Sequence, residues 1–307
     1  MPSQQDDPPV SEAEIKQEND DGIDSVLVVG AGTMGSGIAQ VVAEAGLRVA
    51  WYDTSATAVE TGLGRIEAAW RRGIEKGRRS EAEVAAFRPR IVPAVDVAVA
   101  AATADLVIEA IVEERPVKRS LFGMLSESAP ARAILASNTS SLSITEIAGA
   151  TERPGQVIGL HFFNPVPVLP LVEIVRGLRT SDDTVERSVA LCLRLGKTPV
   201  VVNDAPGFVS NRILMPMINE AIVTLSDGVA TREAIDDVMK LGMAHPIGPL
   251  ALADLIGLDV CLHILDTLQN DFGDDKYRPA PLLRRMVAAG LLGRKSGEGF
   301  YRYDRER

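Results

Sequence analysis

Cysteine is almost missing from this sequence: Cys192 and Cys261 are the only two in 307 residues. Each lies in an apolar, helix-like run, VALCLRLG and DVCLHILD, with no metal-ligand companion beside it. That usage excludes a disulfide framework and reads as reduced core thiols in a reducing compartment. An excess of positive charge is also lacking, since the formal net charge is −10. Nucleic acid and an anionic membrane are therefore poor partners, although a local basic patch still leaves room for a small anionic ligand. No run of eighteen apolar residues occurs, and the first residues lack a basic-then-apolar signal pattern. A soluble, cytoplasmic protein with no membrane partner is expected.

What is present is ordinary globular material, 46% apolar and 24% charged, long enough for two modest domains. A chain of this size buries enough surface to need neither disulfide nor metal staples. Residues 1–24 stand apart, rich in Asp, Glu, Gln and Pro and without apolar periodicity. They read as an acidic disordered tail, with a partner-recruiting role as the alternative.

From Ser25 short apolar runs alternate with helical spacing. Strands are expected at 25–29, 47–53, 89–93, 104–110, 133–137, 156–160, 169–175 and 198–202. Strands joined by helices imply crossovers and a largely parallel sheet covered on both faces. After Pro206 the texture changes to long helical patterns, at 207–228, at 231–242 with Thr231 as a candidate N-cap, and at 281–290. The expected architecture is α/β: a mostly parallel sheet domain over 25–206, then an all-helical domain over 207–307. No repeat of solenoid length interrupts it.

Gly30-Ala31-Gly32-Thr33-Met34-Gly35 is a GxGxxG. Alone the pattern is weak. Here it follows a strand, opens a helix, and precedes Asp53 at the end of the next strand, as a Rossmann-type dinucleotide site requires. Gly30 permits the tight turn, Gly32 lets backbone approach a pyrophosphate, and Gly35 allows close packing of helix on strand. The pyrophosphate would rest on the helix N-terminus, among unpaired amides. Asp53 would accept hydrogen bonds from ribose hydroxyls and repel a 2′-phosphate, favouring NAD over NADP. The alternative is a glycine-rich turn that serves packing alone.

Two further stretches are polar where structure alone does not demand it. SNTSS (137–141) ends an apolar strand, where open α/β sheets place ligands, although Ser141 or Ser143 also suits the N-cap of the following helix. The second is HFFNPVPVLPLVEIV (161–175). His161, one of three histidines, directly follows an expected strand, and Glu173 is the nearby acid in the next one. Imidazole suits the proton transfer of a reversible alcohol oxidation near neutral pH. From the residues alone, a satisfied structural histidine fits His161 equally well.

The chain resembles the L-3-hydroxyacyl-CoA dehydrogenases, and most of all their stand-alone 3-hydroxybutyryl-CoA type. The matching stretches are VVGAGTMGSGIAQ, ADLVIEAIVEERPVK, ILASNTSSLSIT, GLHFFNPVPV, LVEIV, GKTPVVVNDAPGFVSNR, PIGPLALADLIGLD and GRKSGEGFY, in order from about residue 26 to 303. The resemblance implies His161 as general acid/base, Glu173 as the acid that holds it, and Asn164 as a group that positions it. It implies that Ser140 and Asn211 contact the substrate's reacting oxygens and the nicotinamide region. Glu113, Lys118, Ser140, Asn164 and Lys295 would join Gly30, Gly32, Thr33, Met34, Gly35 and Asp53 around NAD, with no metal.

An acyl-CoA substrate is implied too. Residues 65–90 form a basic cluster, with Lys76 where the family places a CoA-contacting lysine, while Ala69 stands where some relatives have a contacting serine. A homodimer is implied by relatives that pair through the helical domain. Other readings stay open: a carrier-protein thioester or free hydroxy acid as substrate, or a non-catalytic NAD-binding sensor.

Overall fold

The computed structural model describes residues 21–303. The chain divides after Asp204 into two compact units. In the first unit the strands are β1 (Ser25–Val29), β2 (Arg48–Tyr52), β3 (Ile91–Pro93), β4 (Leu106–Glu109), β5 (Ile134–Ser137), β6 (Val157–Phe162), β7 (Leu171–Arg176) and β8 (Thr198–Asn203). Between them run α1 (Thr33–Glu44), α2 (Ala56–Glu75), α3 (Glu81–Phe87), α4 (Val97–Ala101), α5 (Arg115–Ser128), α6 (Ile144–Ala148) and α7 (Asp182–Arg194). The sheet order is β3-β2-β1-β4-β5-β6-β7-β8.

The central strands are apolar throughout because helices cover both their faces. Val26 to Val29, Leu106 to Ile108 and Ile134 to Ala136 are all buried. The largely parallel sheet is as expected, with one departure. β7 runs antiparallel to β6, while β8 returns parallel to β7. Strand β6 also extends further than the periodicity predicts, so His161 lies inside it and not after it. An apolar run ending in a polar residue reads as a strand end, but the ladder to β7 carries the strand on through Phe162.

One face of the sheet packs on α1, α2 and α7 through Ile38, Val42, Trp51, Ile66, Ile108, Ala136, Leu160, Ile174 and Leu191. Because side chains alternate along a strand, Glu109, Ser137, His161 and Glu173 share the other face. The last residues of the acidic segment are ordered: Asp21 and Ile23 are buried, and Arg194 donates to Asp21 Oδ1 at 3.2 Å. Residues 1–20, and so most of the expected tail, lie outside the described residues.

The second unit contains α8 (Ser210–Ser226), α9 (Arg232–Asp237), α10 (Pro249–Ile256), α11 (Leu258–Phe272) and α12 (Pro281–Ala288). Its core gathers Met215, Ile218, Ile222, Leu250, Leu258, Leu265, Leu268 and Leu283. Thr231 caps α9, accepting from Ala234 N at 3.3 Å. The helix expected to run to residue 242 instead widens into a π-helical turn over Val238–Gly242. Buried Asp236 accepts from Leu250 N, Ala251 N and the Tyr301 hydroxyl at 2.8 to 3.0 Å, satisfying the first amides of α10. Cys192 and Cys261 are buried free thiols, and burial pushes both pKa values up to about 12. Among the described residues, no helix is long and apolar enough to cross a membrane.

Candidate active site

The glycine-rich turn between β1 and α1 is built by close approach. Gly30 has φ 110°, and a Cβ there would fall 2.4 Å from Ala110 O. A Cβ on Gly35 would fall 1.9 Å from Gly30 O, so helix and turn touch only because that side chain is absent. At Gly32 a Cβ would meet nothing within 4 Å. Gly32 is the N-cap of α1 and supplies no side-chain cap, so the amides around Thr33, Met34 and Gly35 and the positive end of the dipole are left for a ligand. These features fit a dinucleotide pyrophosphate.

Three side chains brace this turn. Trp51 Nε1 donates to Gly30 O at 2.9 Å, and Arg65 donates to Ala31 O at 3.2 Å and to Ser36 Oγ at 3.0 Å. Asp53 Oδ2 accepts from Ala31 N at 2.7 Å, and its Oδ1 accepts from Ser55 N at 2.9 Å. The expected ribose acceptor therefore also holds the turn, and a carboxylate with about four acceptor sites can do both.

At the carboxyl ends of β4 and β5 lies a buried polar network. Lys118, 1% exposed, is no solvated helix residue: Nζ lies 2.5 Å from Glu109 Oε1 and 3.1 Å from Glu113 Oε2. Glu109 also accepts from Ser137 Oγ at 2.7 Å and Ile111 N at 2.8 Å. Glu113 accepts from Thr139 Oγ1 at 2.5 Å and Ser140 N at 2.9 Å, so the SNTSS turn is wrapped around one carboxylate. Burial works to raise the Glu113 pKa, but the Lys118 ammonium and the Thr139 and Ser140 hydrogen bonds outweigh it and hold the carboxyl below its ordinary value. Ser143, not Ser141, caps α6, accepting from Glu146 N at 3.1 Å.

His161 and Glu173 are directly opposed in the antiparallel ladder, with Nδ1 2.7 Å from Glu173 Oε2. Both are buried, at 8% and 3% exposure. The Phe163 ring lies 4.6 Å from the imidazole, centroid to centroid. Asn138 Oδ1 accepts from Phe162 N at 2.9 Å, tying the end of β5 to the end of β6. An imidazole fixed at Nδ1 by a buried carboxylate is suited to exchange protons at Nε2.

Beyond β6, Asn164 to Val168 line a cleft of about 530 Å³ together with Thr33, Ser36, Arg65, Arg72, Lys76 and Arg78. The expected basic cluster divides in two here. Arg79 is bonded to Glu44, Arg88 to Glu67 at 2.6 Å, and Arg90 to Gly46 O. Arg72, Lys76 and Arg78 line the cleft, and none has an ion pair among the described residues. Asn211 and Lys295 belong to the second unit. Asn211 is the buried second residue of α8, and Lys295 Nζ lies 2.5 Å from Asp259 Oδ1. Among the described residues no cluster could hold a metal. Reading by motif missed Glu109, Asn138 and the brace role of Arg65; a charge closing an apolar strand was the available signal for Glu109.

An α/β sheet with this turn, this acidic strand end and a buried histidine–carboxylate pair defines a dinucleotide-linked dehydrogenase. The sequence profile of the 3-hydroxyacyl-CoA dehydrogenase NAD-binding domain matches residues 25–205, and that of the C-terminal domain matches 207–303. The chain belongs to the 3-hydroxyacyl-CoA dehydrogenase family, and its first unit carries that family's NAD-binding domain. It is 56% identical to a probable 3-hydroxybutyryl-CoA dehydrogenase of Bacillus subtilis, over 92% of this chain and 98% of the relative. The crystal structure of (S)-3-hydroxybutyryl-CoA dehydrogenase PaaH1 from Ralstonia eutropha matches with TM-score 0.89 at 49% identity, covering 92% of this chain and all of that one. A diketoreductase described as acting on dicarbonyl compounds matches with TM-score 0.81 at 32% identity, covering 92% and 99%.

Proposed function

We propose that this chain interconverts (S)-3-hydroxybutyryl-CoA and acetoacetyl-CoA with NAD, as a cytoplasmic homodimer. The observation that carries the reading is the His161–Glu173 pair, buried and in register near the carboxyl end of β6, the same end of the parallel strands at which β1 leads into the glycine-rich turn. His161 Nε2 takes the proton of the 3-hydroxyl during oxidation and returns it during reduction. Glu173 keeps Nδ1 engaged, fixes the ring, and stabilises the imidazolium that forms. NAD supplies the hydride acceptor when bound. Asn164 helps position His161, while Ser140 and Asn211 contact the reacting oxygens.

Thr33 and Met34 lie against the cofactor with the three glycines, and Asp53 selects NAD by repelling a 2′-phosphate. Ser140, Asn164, Glu113, Lys118 and Lys295 complete the cofactor's surroundings. Lys118 serves there through Glu113, since its ammonium is spent on two carboxylates. Lys76 in the basic cleft meets the phosphates of CoA. The 56% and 49% identities to 3-hydroxybutyryl-CoA dehydrogenases support the short acyl chain. Exposed Val238, Leu241 and Met243 on the second unit support pairing with another copy.

The likeness to a diketoreductase favours a second reading, reduction of a free dicarbonyl compound. NADH oxidation by the purified protein separates the two, with acetoacetyl-CoA against free acetoacetate, and with NADPH as a control. Turnover is expected with the thioester and NADH, falling roughly 10²–10⁴-fold in His161→Ala while NADH binding persists. Near wild-type activity in that variant would refute the assignment of the base.

A further inference from the structure

Between β6 and β7 the chain leaves the sheet through the loop 163–170, and this loop forms one wall of the basic cleft. Pro165, Pro167 and Pro170 lack backbone N–H groups, so the loop has few donors with which to brace itself. Its own bonds run from Val168 N and Leu169 N, both to Pro165 O, at 2.9 and 3.0 Å. Three carbonyls are satisfied from outside, that of Pro170 by Thr198 N at 2.8 Å and the other two by one side chain. Lys197, 7% exposed at the entry to β8, donates from Nζ to Val166 O and, at 2.8 Å, to Leu169 O. On α1, a Cβ added to Gly37 would lie 2.8 Å from Val166 Cβ, so Val166 is seated on that glycine.

A core position that required only volume would not hold an ammonium, because a buried charge is costly unless its donors are used. Here the donors are aimed at the loop. Burial holds the Lys197 pKa below the ordinary lysine value, against the opposing influence of Glu44 and Cys192. We propose that Lys197 and Gly37 clamp the 163–170 loop, making Lys197 a positioning residue that sets the cleft wall formed by Val166 to Val168 for the CoA portion of the substrate. This rests on the assignment of the cleft to CoA. Lys197 is hydrogen-bonded neither to the His161–Glu173 pair nor to the glycine-rich turn, so its loss should be felt in thioester binding.

The test measures calorimetric Kd values for free CoA and for NADH in the full-length wild type, Lys197→Met and Gly37→Ala, together with KM and kcat for acetoacetyl-CoA. Lys197→Met keeps the volume and removes the donors; Gly37→Ala pushes the same loop from the other side, and it decides the matter if Lys197→Met does not fold. The expected result is CoA binding weakened about tenfold, a matching rise in KM, a smaller fall in kcat, and an NADH Kd within about twofold of wild type. Unchanged CoA binding, or an equal loss of CoA and NADH binding, would overturn the clamp. A wild type that binds CoA, loosened in the variants, but does not reduce acetoacetyl-CoA would uphold the clamp and reject only the proposed reaction. A wild type that binds no CoA would reject the clamp together with the cleft assignment.

Discussion

Glu173 sits 2.7 Å from His161 Nδ1 in a buried setting, where a charge-assisted hydrogen bond is strong and its loss is not made good by water. Glu173→Gln keeps the shape and removes the charge. We expect kcat to fall about 10²-fold or more with little change in KM, read by steady-state kinetics; an unaltered kcat would show that the imidazolium needs no such partner. Glu113 supports a pH prediction. Its folded pKa lies below the ordinary 4.5, so the stability it contributes is complete above that value and is lost as pH falls through the folded one. Thermal melts should therefore show a constant advantage of wild type over Glu113→Gln from neutral pH down to about 5, shrinking below about 4.5. An advantage that grew in acid would contradict the lowered pKa. At this scale the sequence announces groups that carry motifs, such as His161 and Asp53. It conceals Glu109, Asn138 and Lys197, whose importance arises from which carbonyl or hydroxyl the fold sets opposite them.

The elements of the first unit were legible because each carries its own periodicity: buried strands as apolar runs, helices as amphipathic stretches, and the turn as GxGxxG. The direction of β7 was not. Pairing sense is decided by the connection, and the eight residues between Phe162 and Leu171 are too few for a parallel crossover of a dozen or more. A stricter count of that loop would have revealed the reversal. The widening of the second unit's helix after Asp237 left no such trace. Close packing of α1 on its turn gives a prediction for the element as a whole. In Gly35→Ala the new Cβ would lie 1.9 Å from Gly30 O, so helix and turn must separate. A loss of about 3 kcal/mol in denaturant unfolding is expected, with weakened NADH binding. Wild-type affinity in a stable variant would show that the turn tolerates the shift.

For the whole molecule, the net charge of −10 repels CoA, a polyanion, while the proposed CoA cleft, lined by Arg72, Lys76 and Arg78, would attract it locally. With a Debye length of about 10 Å at 0.1 M salt, distant acids are screened and the cleft decides. KM for acetoacetyl-CoA should then rise with ionic strength, and Lys76→Ala should raise it severalfold at low salt while flattening that dependence and sparing kcat. A salt response identical in the variant would place the phosphates elsewhere.

The reversal at β7 has a consequence for how such an enzyme can diversify. His161 and Glu173 are joined by the ladder of a sheet, not by the loop that connects them in sequence. Backbone pairs on either side, Leu160 with Ile174 and Phe162 with Val172, keep the two rungs aligned whatever the intervening segment contains. The segment beyond Asn164, residues 165–170, can thus be lengthened, shortened or rewritten for a different thioester while His161 and Glu173 stay where the sheet holds them. The one forbidden change is a slip of a single residue in β7, which would turn Glu173 to the opposite face and leave the histidine without its acid. Innovation is confined to the hairpin's tip and inheritance to its stem.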